Sequence, residues 1–122
     1  MRPAFIDHVT LTVRDYEASK RFYAAALAPW GSRQVELTDA TAFGPQGCED
    51  LVIAPGEPTA GPVHLAFAAP DRETVHAFYE AALAAGGRDY GPPGLRPQYH
   101  AGYYAAYVFD PDGNNVEAVH HG

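Results

Sequence analysis

Residues 8–27, HVTLTVRDYEASKRFYAAAL, recur in altered form as residues 64–83, HLAFAAPDRETVHAFYEAAL. At a constant offset of 56 the two stretches agree at His8/His64, Asp15/Asp71, Glu17/Glu73, Phe22/Phe78, Tyr23/Tyr79, Ala25/Ala81, Ala26/Ala82 and Leu27/Leu83. Eight identities in twenty ungapped positions is several times the chance level, and Ala28/Ala84 and Gly31/Gly87 extend the match. The chain therefore reads as two copies of one unit within a single domain, residues 1–122. The first module covers about 4–55, the turn-rich PGEPTAGP at 55–62 links it onward, and the second module covers about 62–121.

Each copy opens as a strand and continues as a helix. Val9, Leu11 and Val13 alternate with His8, Thr10 and Thr12, and Val63, Leu65 and Phe67 alternate with His64, Ala66 and Ala68. Period two marks half-buried strands. Asp15 and Asp71 stand at helix N-cap positions, with Glu17 and Glu73 in the first turns, where the helix dipole favours acid. Phe22 shares a helix face with Ala18 and Ala26, as Phe78 does with Thr74 and Ala82, and Gly86-Gly87 ends the second helix. Short strands follow at 34–38, 41–44 and 50–54, then at 88–90, 103–109 and 115–119, with a long Gly- and Pro-rich loop from Arg88 to Gly102. The expected fold is α+β, two tandem βαβββ modules forming a curled mixed sheet around a shared cavity.

Composition narrows the function classes. A length of 122 residues suits one domain with a real core, and 47% hydrophobic with 19% charged residues is ordinary globular usage. The net charge of −7 argues against nucleic-acid or anionic-membrane partners. A single cysteine, Cys48, allows no intramolecular disulfide or cysteine-rich zinc site and reads as an inert thiol. With no apolar run of transmembrane length and no signal-peptide core, a cytoplasmic location is expected.

The stretch DPDGN at 110–114 sets the register of the closing hairpin. In a three-residue loop Gly113 takes the left-handed position, Asp110 pairs with Asn114, and Tyr107 lies opposite Glu117. A four-residue loop would place Ala106 there instead. The first register puts Tyr103, Ala105 and Tyr107 on the Glu117 face, and Glu117 interrupts the apolar set Val116, Ala118. Two repeat-equivalent histidines and one carboxylate turned away from the helices form a ligand set for a first-row divalent metal with open positions. By the same alternation Thr10 and Thr12 flank His8, Ala66 flanks His64, and Tyr107 stands as a proton donor or wall residue. Arg96, Tyr99 and His100, on the long loop, are placed to meet an anionic or phenolic substrate group.

The doubled opening, together with the closing YYAAYVFDPDGNNVEAV, resembles the vicinal oxygen chelate superfamily, which includes glyoxalase I, extradiol dioxygenases, epimerases, fosfomycin-modifying enzymes and bleomycin-binding proteins. The resemblance spans nearly the whole chain. It implies one divalent ion (Fe, Mn, Ni, Co or Zn) held by His8, His64 and Glu117, with Glu117 and Tyr107 at the chemistry. It also implies a homodimer, since two-module relatives usually pair and sometimes take ligands from both chains. The fourth ligand of glyoxalase I falls at Ile53 when Asp50–Ala54 is aligned on Asn114–Ala118, so three ligands are expected. The activity implied is a metal-dependent lyase, isomerase or dioxygenase acting on a small oxygen-chelating molecule. The alternative is a non-catalytic drug- or ligand-binding protein of the bleomycin-resistance type.

Overall fold

The computed structural model describes residues 6–58 and 61–122, so residues 4–5 of the first module and 59–60 of the linker lie outside the described residues. The first module runs β1 (Val9–Val13), α1 (Tyr16–Ala26), β2 (Arg33–Glu36), β3 (Thr41–Gly44) and β4 (Leu51–Pro55). The second runs β5 (His64–Ala68), α2 (Arg72–Ala84), β6 (Arg88–Leu95), β7 (Tyr104–Phe109) and β8 (Asn115–His120). Each module forms its own open four-stranded sheet, ordered β1-β4-β3-β2 and β5-β8-β7-β6. In both, the opening strand pairs parallel with the last strand and the remaining pairs are antiparallel.

The repeated sequence builds the repeated structure through the same local devices. The Asp15 carboxylate accepts from Ala18 N at 3.0 Å, and Asp71 from Thr74 N at 2.8 Å. Each cap satisfies an otherwise orphaned helix donor. On β1 the inward residues Leu11 and Val13 are buried, while Thr10 and Thr12 stay exposed, as alternation requires. The helix faces of both sheets share one apolar core, with Phe22, Tyr23, Val75 and Phe78 fully buried. Trp30, just past α1, meets Phe78 edge-on at 6.0 Å and ties the two helices together. The opposite faces look away from both helices, and on the second sheet that face holds Ala105, Glu117 and Val119, all buried.

One element differs from the sequence reading. The strand expected at 88–90 continues to Leu95, through Pro92-Pro93, with register shifts between Asp89 and Gly91 and between Gly91 and Gly94. Prolines normally break a ladder, but β6 is the edge strand of its sheet. There a missing N–H leaves no partner unsatisfied, and bulges absorb the extra residues. The loop accordingly shrinks to the turn closed by Arg96 N donating to Tyr103 O at 2.7 Å. No helix among the described residues is long and apolar enough to cross a membrane.

Candidate functional site

The closing turn positions the site. Asp110, only 3% exposed, accepts from Asp112 N at 2.9 Å and Asn114 N at 2.8 Å through Oδ1. Its Oδ2 accepts from the Tyr23 hydroxyl of α1 at 2.6 Å and from Asn114 Nδ2 at 2.8 Å. Asn114 Oδ1 in turn accepts from Val63 N, at the entry to β5, at 2.9 Å. One turn thus locks β8 to α1 and to the strand carrying His64. The three-residue register holds: Asp110 N donates to Asn114 O at 2.9 Å, Gly113 has φ of 85°, and Tyr107 pairs with Glu117. Tyr104 turns to the helix side, its hydroxyl 2.6 Å from His76 Nε2 on α2.

On the open face of the second sheet, Glu117 lies 2.6 Å from His64 Nε2 through Oε1 and accepts from the Tyr103 hydroxyl through Oε2. The carboxyl is 1% exposed, whereas the His64 side chain is 52% exposed, so the pair offers its imidazole side to a ligand. Tyr107 stands with its ring 6.2 Å from that of His64. Burial pushes the Tyr103 and Tyr107 hydroxyls above the ordinary phenol range, followed for Tyr103 by its hydrogen bond to Glu117 and for Tyr107 by the negative charge of Glu117. Both remain protonated at neutral pH. Arg96 lies over the Tyr107 ring at 5.3 Å.

Not every expected residue joins this cluster. His8, with its side chain 56% exposed, sits just ahead of β1, where Nδ1 lies 2.7 Å from the neighbouring Asp7 carboxylate. It lines a shallow cleft over that sheet with Val35, Leu37, Ala42 and Val52, and a second cleft with Leu65, Ala66 and Phe67. Among the described residues no three His, Cys, Asp or Glu side chains come together to hold an ion. Thr10 and Thr12 border a cleft of about 270 Å³ with Val63, Asp112 and Asn114. Ala105 shares the Glu117 face but is fully buried, whereas Tyr99 and His100 are exposed and edge the Tyr103 ring at 4.9 and 5.4 Å.

Two refinements concern pairing. The counterpart of Glu117 in the first module is Val52 rather than Ile53, because Thr10 pairs with Val52 as Ala66 pairs with Glu117. Ile53 instead points into the core, fully buried. The position is apolar in either register, so it supplies no fourth ligand. Tyr103, read as a wall residue, grips the carboxylate itself. Its face was legible from the alternation with Tyr107, but its reach depends on the turn at 96–103, which period two does not describe.

The family model described as Glyoxalase/Bleomycin resistance protein/Dioxygenase superfamily matches residues 5–118. A glyoxalase/bleomycin resistance protein from Albidiferax ferrireducens T118 is 31% identical, with TM-score 0.79 over 98% of this chain and 100% of that one. A glyoxalase/bleomycin resistance protein/dioxygenase family enzyme from Burkholderia phytofirmans PsJN is 19% identical, with TM-score 0.74 over 98% and 100%. The fosfomycin resistance protein FosX from Listeria monocytogenes is 20% identical, with TM-score 0.73 over 99% and 96%. The last two likenesses carry the fold alone. No curated protein matches the chain.

Proposed function

Because the chain belongs to the glyoxalase/bleomycin resistance protein/dioxygenase superfamily, we propose that it is a metal-dependent enzyme acting on a small molecule that chelates the ion through oxygen. The observation that carries this reading is the His64–Glu117 pair, an imidazole and a carboxylate 2.6 Å apart on the open face of the second sheet. That donor set suits Fe(II), Mn, Co, Ni or Zn. Two ligands in one chain leave the set short by one. His8 completes it from a second copy of the chain, whose first-sheet cleft sets His8 among Leu37, Val35 and Val52 and the charged Asp7, Arg33 and Glu49. A bound ion would supply Lewis acidity to a substrate oxygen or a site for oxygen activation.

The residues around the pair have separable tasks. Tyr103 orients Glu117 by donating to Oε2. Tyr107, protonated and on the same face, donates a proton or hydrogen bond to substrate oxygen. A metal-free ligand-binding protein is the second reading, favoured by the His64–Glu117–Tyr103 chain being satisfied by hydrogen bonds alone.

Metal titration separates the two. Protein prepared without an affinity tag and stripped with chelator is expected to bind one divalent ion per chain, with His64→Ala and Glu117→Gln weakening affinity by about 100-fold or more. Wild-type protein that takes up no first-row divalent ion would favour the binding protein and end the enzyme reading.

A further inference from the structure

We propose that Arg96 forms an oxyanion subsite beside the His64–Glu117 pair, so that the substrate carries a carboxylate or phosphonate group. The inference rests on reading the Glu117 face of the second sheet as the substrate-binding face. Its own support is the way β6 is shaped around the guanidinium. Gly91 and Gly94 pair with Tyr107 and Ala105, which places both glycines on the face that carries Glu117. A Cβ at Gly94 would lie 3.0 Å from Arg96 Nη1, and one at Gly91 would lie 3.2 Å from Nη2 and 3.0 Å from the Tyr107 ring. The guanidinium therefore occupies the space that two absent side chains leave on the strand.

It is fixed there from three sides. Nη2 donates to Pro92 O at 2.7 Å, Nη1 makes a longer contact of 3.4 Å to Leu95 O, and the Tyr107 ring lies beneath at 5.3 Å. The backbone is anchored as well, by Arg96 N donating to Tyr103 O at 2.7 Å. These partners are neutral, and no carboxylate pairs with Arg96 among the described residues. Glu117, the acid on that face, has its two oxygens engaged by His64 and Tyr103. A preordered guanidinium with unused N–H donors, flat against an aromatic ring, matches a planar carboxylate or a phosphonate. In a chain of net charge −7, such a local cation is what draws an anion to that face.

Benzoate, phenylphosphonate and the neutral isostere benzamide test this on the full-length, metal-free chain, by NMR titration of the Gly91 and Gly94 amides and the Arg96 Nε–H. Wild-type protein is expected to bind one or both anions more tightly than benzamide, the tighter one identifying the oxyanion. Arg96→Gln is expected to weaken that binding by about tenfold or more. Gly94→Ala keeps the net charge but crowds Nη1, so that the guanidinium must give by a few tenths of an ångström, and it too is expected to weaken anion binding. Equal affinity for benzoate, phenylphosphonate and benzamide in the wild type, or undiminished anion binding in Arg96→Gln, overturns the proposal. Since no metal is present, these outcomes do not depend on the metal titration that decides the enzyme reading.

Discussion

Glu117 is 1% exposed, and each of its oxygens has a partner, His64 on one side and the Tyr103 hydroxyl on the other. A buried carboxylate with one oxygen unpaired is costly, so the phenol holds the side chain in the rotamer that faces His64. Tyr103→Phe keeps the ring against Tyr99 and His100 and removes only that grip. Metal affinity is expected to fall by about 10–100-fold, the usual loss when a ligand's outer partner goes. Competition against a chromophoric chelator measures it, and an unchanged constant would mean that Glu117 orients itself. Tyr107→Phe is expected to behave in the opposite way. Its hydroxyl has no described hydrogen bond to the carboxylate, so metal affinity holds while turnover of the loaded enzyme falls by roughly 10²–10⁴-fold. If both variants lost metal affinity alike, the division of labour between the tyrosines would be wrong.

Among the elements, the closing turn concentrates the most structural consequence. Tyr23 reaches from α1 to Asp110 at 2.6 Å inside the core, so Tyr23→Phe removes a hydrogen bond to a buried acid. A loss of about 1.5–3 kcal/mol is expected in denaturant unfolding. Burial, and then Asp110, raise the Tyr23 hydroxyl well above its ordinary value. The folded state therefore favours the protonated phenol: the stabilisation is complete below the unfolded value of about 10 and drains away as pH rises beyond it. Wild type should lose stability steeply above about pH 10, and Tyr23→Phe less so; parallel alkaline profiles would contradict this. The repeat also hides a divergence. Gly31 and Gly87 are equivalent by the 56-residue offset, yet Gly31 is kept for φ of 71° with open space around it. Gly87 instead lets the chain pass within 2.8 Å of Ala82 O and 2.5 Å of Val108 Cγ1, measured from where its Cβ would be. Gly87→Ala overpacks the core and is expected to cost about 1–3 kcal/mol, against about 1–2 for Gly31→Ala. Thermal melts that rank them in reverse would show that the backbone at 87 yields. The repeat marked the two as equivalent glycines; it did not tell which constraint each answers, just as Pro92-Pro93 read as a loop until the edge position of β6 excused them.

For the whole molecule, the repeat made the two modules legible, since caps, strand alternation and helix faces all recur with it. His64 and Glu117 were legible for a related reason: the DPDGN turn fixes which face of β8 meets β5. How His8 relates to them was not, because an offset establishes that two positions are equivalent and not that their open faces meet within one chain. Helix packing governs that. With Trp30 set against Phe78, the helix sides of both sheets fuse into one core, and His8, though it borders β5 at Leu65–Phe67, does not join His64 and Glu117 in a ligand cluster among the described residues. If a second copy supplies His8, the protein is a homodimer with two sites, each drawing on both chains, and complementation follows from the symmetry. His8→Ala and His64→Ala chains should each bind metal poorly. Unfolded together and refolded, they would form mixed dimers in which His8 of one chain meets His64 and Glu117 of the other, restoring one site of the two. Random pairing makes mixed dimers about half of the population, so metal stoichiometry should recover to roughly a quarter of wild type. Sites contained within single chains would all lack one histidine in that mixture, and no recovery would appear.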